Sequence, residues 1–226
     1  ILHAWFPDTA IWVFTLVITL LLTATNLFSV KNYGEFEFWF ALVKVLAIIG
    51  FIILGLLAIF GYLPTSQVSG VAHLSDTIGF MPNGMGAVLA AMLTTMFSFM
   101  GTEIVTIAAA ESKDPSKQIT KATNSVIWRI GLFYLVSIFI VVALVPWNDP
   151  SLAQLGSYQT VLDRMGIPNA KLIVDIVVLI AVTSCLNSAL YTSSRMLYSL
   201  SKRGDAPAAA KRTNAAGTPY WAVMMS

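Results

Sequence analysis

Cysteine and histidine are nearly absent from this sequence: Cys185 stands alone, and His3 and His73 are its two imidazoles. One thiol cannot close an internal disulfide, and it says nothing of an oxidising compartment. A metal site needs several convergent ligands, and two isolated histidines do not supply them. Charge is scarce as well. Only 11% of the residues are Asp, Glu, Lys or Arg, where ordinary globular proteins carry about 25%. The 13 basic and 11 acidic side chains leave a net charge of +2. The basic ones are scattered among short loops, without the continuous basic face that nucleic acid would demand. A soluble domain and a nucleic-acid binder are both excluded.

What fills the sequence is apolar: 57% of its 226 residues are hydrophobic, and the mean hydropathy is +0.78. The apolar residues fall in runs of roughly 20, enough to span a hydrocarbon core of about 30 Å at 1.5 Å rise per residue. Hydropathy and the punctuation by Pro and Gly predict an all-α polytopic membrane protein. Its full spans are expected at about 11–30, 38–60, 86–110, 125–145 and 172–198, with partial spans at 1–5 and 220–226. The chain opens without methionine on ILHAW and stops at PYWAVMMS, which reads as the internal part of one transmembrane domain. The lack of a visible leader is then uninformative.

The connecting segments differ in charge. Lys31 follows the first full span, Lys113, Lys117, Lys121 and Arg129 follow the third, and Lys202, Arg203, Lys211 and Arg212 follow the fifth. The segment 63–82 has no Lys or Arg, and the one between the fourth and fifth spans has only Arg164 and Lys171. The positive-inside rule assigns the first set to the cytoplasm. Asp8, Asp76, Asp149 and Asp163 then lie outside.

Three places carry polar chemistry inside these spans. In the third, FSFMGTE brings Ser98, Gly101, Thr102 and Glu103 together in an apolar stretch. Two readings meet there: a continuous helix whose Gly101 permits close packing, or a break lining a protein-enclosed cavity of the kind where transporters hold substrate. We take the break, because Glu103 adds an ionisable group costing about 2.5–3.5 kcal/mol in mid-membrane. In the second span Lys44 lies about six residues from the expected start, roughly 9 Å deep by helical rise. It must snorkel, find a partner, or exploit the bias of burial against its charged form by taking and releasing a proton. In the fifth span Ser184, Asn187, Ser188, Tyr191, Ser194 or Arg195, and Tyr198 recur at three- and four-residue spacing, one polar stripe along a helix. Such a stripe either hydrogen-bonds neighbouring helices or forms a wall facing water or substrate, and its length with the bulk of Tyr191 favours the wall. Cys185 beside it is a small packing residue.

With FSFMGTEIVTIAAAES in the third span, VKNYGEFEFWFALVKV before it and TSCLNSALYTSSRMLYSLSKRGDAP after it, the chain resembles the amino acid-polyamine-organocation superfamily over essentially its whole length. The resemblance implies a fragment of the leucine-transporter fold, two inverted five-helix repeats, running from about the end of helix 3 to the start of helix 9. The broken helix 1, which in that family holds the substrate carboxylate, falls outside it. The second unwound helix maps onto Phe97, Ser98, Phe99, Met100, Gly101, Thr102 and Glu103. On the same resemblance Phe97 packs over bound substrate, Glu103 is an acidic gate, and Lys44 takes the place of a sodium site in proton-coupled members. Thr102 stands where alanine is expected, beside the unwound turn, and so bears on substrate choice.

The implied activity is secondary active, proton-coupled uptake of GABA or a similar small amino acid across the inner membrane. No bond in the substrate changes, and no cofactor is expected beyond the proton gradient. Freed backbone carbonyls around Ser98 and Gly101 would meet the amine, Phe97 and Phe99 would enclose the methylenes, and Asn187, Ser188 and Tyr191 would form the wall. The partners implied are the amino acid and the lipid bilayer, without nucleic acid; oligomeric state is left open. A permease or exchanger for a related amino acid such as proline is the alternative, since such permeases share similar GEFEFW and FMGxE segments. A membrane-embedded enzyme using Glu103 and Lys44 lacks an accompanying nucleophile motif or phosphate loop, and a scaffold subunit would not keep ionisable residues in the bilayer.

Overall fold

The computed structural model describes residues 1–28, 30–75, 81, 83–97, 101, 114–214 and 217–226. Every regular element among them is helical: α1 (Leu2–Trp5), α2 (Ile11–Phe28), α3 (Val30–Ile59), α4 (Gly84–Met96), α5 (Pro115–Arg129), a π-helical segment (Ile130–Leu135), α6 (Val136–Leu144), α7 (Pro150–Leu155), α8 (Ser157–Arg164), α9 (Ala170–Arg203) and α10 (Tyr220–Met225), with short 3-10 turns at Ala72–Ser75 and Ala208–Lys211. Three stretches are long and apolar enough to cross a bilayer: Gly34–Ile59, Pro115–Leu144 and Ala170–Arg203. Ile11–Leu27 and Gly84–Met96 are shorter apolar helices. Large apolar side chains such as Leu20, Leu46, Met92 and Leu132 turn outward. An exterior of this kind needs hydrocarbon or further protein around it, not water.

The helices depart from the sequence expectation at 31–37. The expected loop 31–37 is helical, and α3 begins at Val30. Glu and Lys are good helix formers, and the lone Gly34 costs only about 1 kcal/mol. Lys44 follows Gly34 by ten residues of this helix, about 15 Å along the axis by helical rise. In the expected span 86–110, the α-helix covers Gly84–Met96 and Gly101 has φ of 94°. That backbone conformation is open to glycine and foreign to an α-helix.

The chain divides into two compact units, Ile1–Val45 with Asp175–Ser226, and Leu46–Val174. In the first, α10 packs on α2. Asn214 fastens the segment before α10 to the end of α2: its side-chain amide donates to the Leu27 carbonyl at 3.0 Å, and its side-chain oxygen accepts the Thr218 N–H at 2.9 Å.

The second unit has an apolar core of Phe51, Ala58, Ile140, Leu144, Val145, Val161, Leu162, Met165 and Ala170. Gly55 faces Ile140 so closely that a Cβ there would overlap the isoleucine methyl. The Phe51 ring meets Tyr158 edge-on, with centroids 4.8 Å apart, and Tyr158 donates its hydroxyl to Ser137 at 3.2 Å. Ser137 in turn donates to the Phe133 and Tyr134 carbonyls of the π-helical segment, partnering oxygens where the backbone ladder changes register. α3 ends in a glycine cap. Gly61, at φ of 74°, lets Tyr62 N–H reach the Leu57 carbonyl at 2.8 Å while its own N–H bonds that of Ala58 at 3.0 Å.

Candidate functional site

The polar face of α9 and the start of α3 build one cluster inside the first unit. On α9, Ser184, Asn187, Tyr191, Ser194 and Ser201 are buried, a stripe at the three- and four-residue spacing that puts side chains on one helical face. Lys44 Nζ donates to Ser184 Oγ at 2.7 Å. Ser184 donates its hydroxyl to Glu37 Oε1, and Lys44 Nζ lies 3.6 Å from that same oxygen. Of the three fates open to a lysine at this depth, the structure shows pairing. About one turn further along α9, Asn26 of α2 donates to Asn187 Oδ1 at 2.8 Å and, with its other N–H, to the Leu22 carbonyl at 2.9 Å.

The rest of the stripe is divided. Tyr191 is buried with the Arg195 guanidinium over its ring at 4.9 Å, and Lys202 Nζ stands over Tyr198 at 4.7 Å. Ser188 is half-buried and Cys185 exposed. Two stripe residues, Ser184 and Asn187, thus spend polar atoms on neighbouring helices, as interhelical glue does.

Phe97, at the C-terminal end of α4, exposes 71% of its surface, so its ring is open to whatever packs over it. Ser98, Phe99, Thr102 and Glu103 lie outside the described residues.

Glu37 and Asn26 are the members that sequence reasoning passed over. Glu37 was counted as part of a loop, yet it precedes Lys44 by seven residues, two turns on one face of a helix. Opposite charges at that spacing in an apolar run are a readable signal. Asn26 carried a weaker one, a lone amide near the end of an apolar span.

Long apolar helices with a hydrogen-bonded ion pair held among them define a membrane protein, and the chain belongs to the amino acid permease family, which matches it over residues 1–226. It is 70% identical over 227 residues to a probable GABA permease of Pseudomonas aeruginosa, an alignment covering 100% of this chain and 48% of that protein. It is 66% identical over 226 residues to the gamma-aminobutyric acid permease of Escherichia coli, covering 100% of this chain and 48% of that one. A lysine-specific permease of Lactococcus lactis is 38% identical over 232 residues, covering 97% of this chain and 45% of its own length. The chain thus spans about half the length of the curated relatives it matches. No solved structure matches it.

Proposed function

We propose that this chain is part of a secondary active transporter in the bacterial inner membrane, taking up GABA or a similar small amino acid with inward-moving protons. The observation that supports it most is Lys44: an amine deep in an apolar helix, held by a hydroxyl and a carboxylate. An ionisable group in mid-membrane is expensive and is kept where it carries ions or substrate. The names of the two most similar relatives above supply the substrate class.

In this reading the architecture is the leucine-transporter fold. The chemistry is binding and release, with the proton as driving ion and no resident cofactor. Phe97, Ser98, Phe99, Gly101 and Thr102 are proposed to line the unwound turn that meets the substrate, with Glu103 as its gate. The positive φ of Gly101 supports a turn at that point. A cation over an aromatic face such as Phe97 gains about 0.5–2 kcal/mol, more as water leaves. Asn187, Ser188 and Tyr191 are proposed as wall residues of α9. Lys44 is proposed to couple transport to the proton.

Uptake of labelled GABA by the complete permease, with and without an imposed pH gradient, tests this reading. Gradient-dependent accumulation of chemically unchanged GABA is expected. Accumulation indifferent to the gradient would remove proton coupling, and a chemically altered product would make the protein an enzyme. The similarity to a lysine-specific permease favours one second reading, a different amino acid substrate, which competition by unlabelled lysine, proline and aromatic amino acids decides.

A further inference from the structure

Glu37 has no role in the reading above, yet its two oxygens have unlike surroundings. Oε1 accepts the Ser184 hydroxyl and faces Lys44 Nζ. Oε2 is buried and has no hydrogen-bond partner among the described residues. An ionised carboxylate has acceptor capacity at both oxygens and no donor, whereas a protonated one can donate. Oε2 thus has acceptor capacity that no donor among the described residues fills.

We infer that Glu37 is the second proton-holding group of the coupling site, exchanging one proton with Lys44 through the Ser184 hydroxyl. The inference rests on the proton-coupled reading above. The step balances: the Lys44 ammonium gives an Nζ proton to Ser184 Oγ while the Ser184 hydroxyl proton passes to Glu37 Oε1. Ammonium and carboxylate become amine and carboxylic acid, and the serine is unchanged. The pair is neutral overall before and after.

Among the described side chains of α2, α3 and α9, the other ionisable groups stand apart from the pair. α9 contributes the uncharged Ser184 here, and its own Asp175 and Arg195 are more than two turns away along the helix. α2 contains no ionisable side chain, and Glu35 on α3 is exposed. Glu37 also lies nearer than Lys44 to the N-terminal end of α3, which the lysine and arginine distribution assigns to the cytoplasm. The carboxylic acid is thus on the side where inward-moving protons leave.

The test compares the complete wild-type permease with Glu37→Gln and Glu37→Asp in liposomes, using GABA as the probe. One assay reads exchange of labelled for unlabelled GABA at equal pH, which needs binding and alternation but no net proton movement. The other reads GABA accumulation and internal acidification under an inward proton gradient, across a pH series. Glutamine can still accept the Ser184 hydroxyl through its carbonyl but cannot carry the proton. Glu37→Gln is expected to keep exchange while losing accumulation, acidification and pH dependence, and Glu37→Asp to restore part of all three. Wild-type accumulation with a wild-type pH profile in Glu37→Gln overturns the inference. So does equal loss of exchange and accumulation in both variants, which marks Glu37 as a structural counter-ion only. Exchange by the wild-type protein with no response to the gradient brings down the proton-coupled reading itself, and this inference with it, before any variant is consulted.

Discussion

Asn26 and Asn187, 161 positions apart in the chain, meet through a hydrogen bond of 2.8 Å that ties α2 to the polar face of α9. Both side chains are buried. Removing either leaves the other amide facing apolar surroundings. A double-mutant cycle with Asn26→Ala and Asn187→Ala should return a coupling of about 0.6 kcal/mol, up to ~1.7, the range for hydrogen bonds between membrane helices. Denaturant unfolding of the complete permease in detergent micelles measures it. Strictly additive losses would show that the bond contributes nothing beyond its two residues.

Lys44→Ala should abolish accumulation of GABA against its gradient. Lys44→Arg should fail too, because a guanidinium stays charged throughout the physiological range and does not release its proton. An anchoring lysine predicts the reverse for arginine, whose long charged side chain also reaches polar partners. The measurement is gradient-driven uptake normalised to the amount of protein in the membrane. Near-normal accumulation by Lys44→Arg would reduce Lys44 to an anchor.

Gly55→Ala should destabilise the second unit, since the new methyl would overlap Ile140. Overpacking of this kind costs roughly 1–3 kcal/mol. Adding Ile140→Ala should recover part of that loss, as the two changes share one space. Melting temperatures of the two single variants and the double variant check it. A double variant no better than the sum of the singles would place the strain elsewhere.

Asp149 caps α7 by accepting the Ser151 N–H at 2.8 Å and pairs with Arg164 at 2.7 Å. Hydrogen bonds from the Ser151 backbone and hydroxyl, opposed by burial and reinforced by the Arg164 charge, hold its carboxyl below the ordinary value of 3.8. The fold therefore favours the ionised form. Its contribution is complete above 3.8 and is lost as pH falls through the lower folded-state value. Asp149→Asn should melt at a lower temperature than wild type at neutral pH, and the gap should close in acid. A gap independent of pH would mean that the charge is not what stabilises this corner.

The distribution of Lys and Arg predicts segment 112–123 in the cytoplasm and segment 63–82 outside. In a Cys185→Ser background, Ser116→Cys should resist an impermeant thiol reagent in intact cells and react after the membrane is opened. Labelling in intact cells would invert the topology, and with it the direction of proton release argued for Glu37.

Periodicity and composition were enough to make the chain helical and membrane-bound, because a run of apolar residues long enough to cross hydrocarbon has few other solutions; the permease came from the resemblance of its motifs to a known family. The same local logic singled out Lys44 and the α9 stripe, whose members recur every three or four residues. It also erred locally at 31–37, where polar residues without a strong helix breaker read as a loop but continue α3. Only the tertiary structure decided what those residues touch. Ser184 lies 140 positions from Lys44 and 147 from Glu37, and a hydrogen bond forms only when distance and direction both fit. Helical period records which face a side chain occupies. It does not record which other helix crosses that face or at what height, so Glu37 met Ser184 and Asn26 met Asn187 only through the packing of α2, α3 and α9.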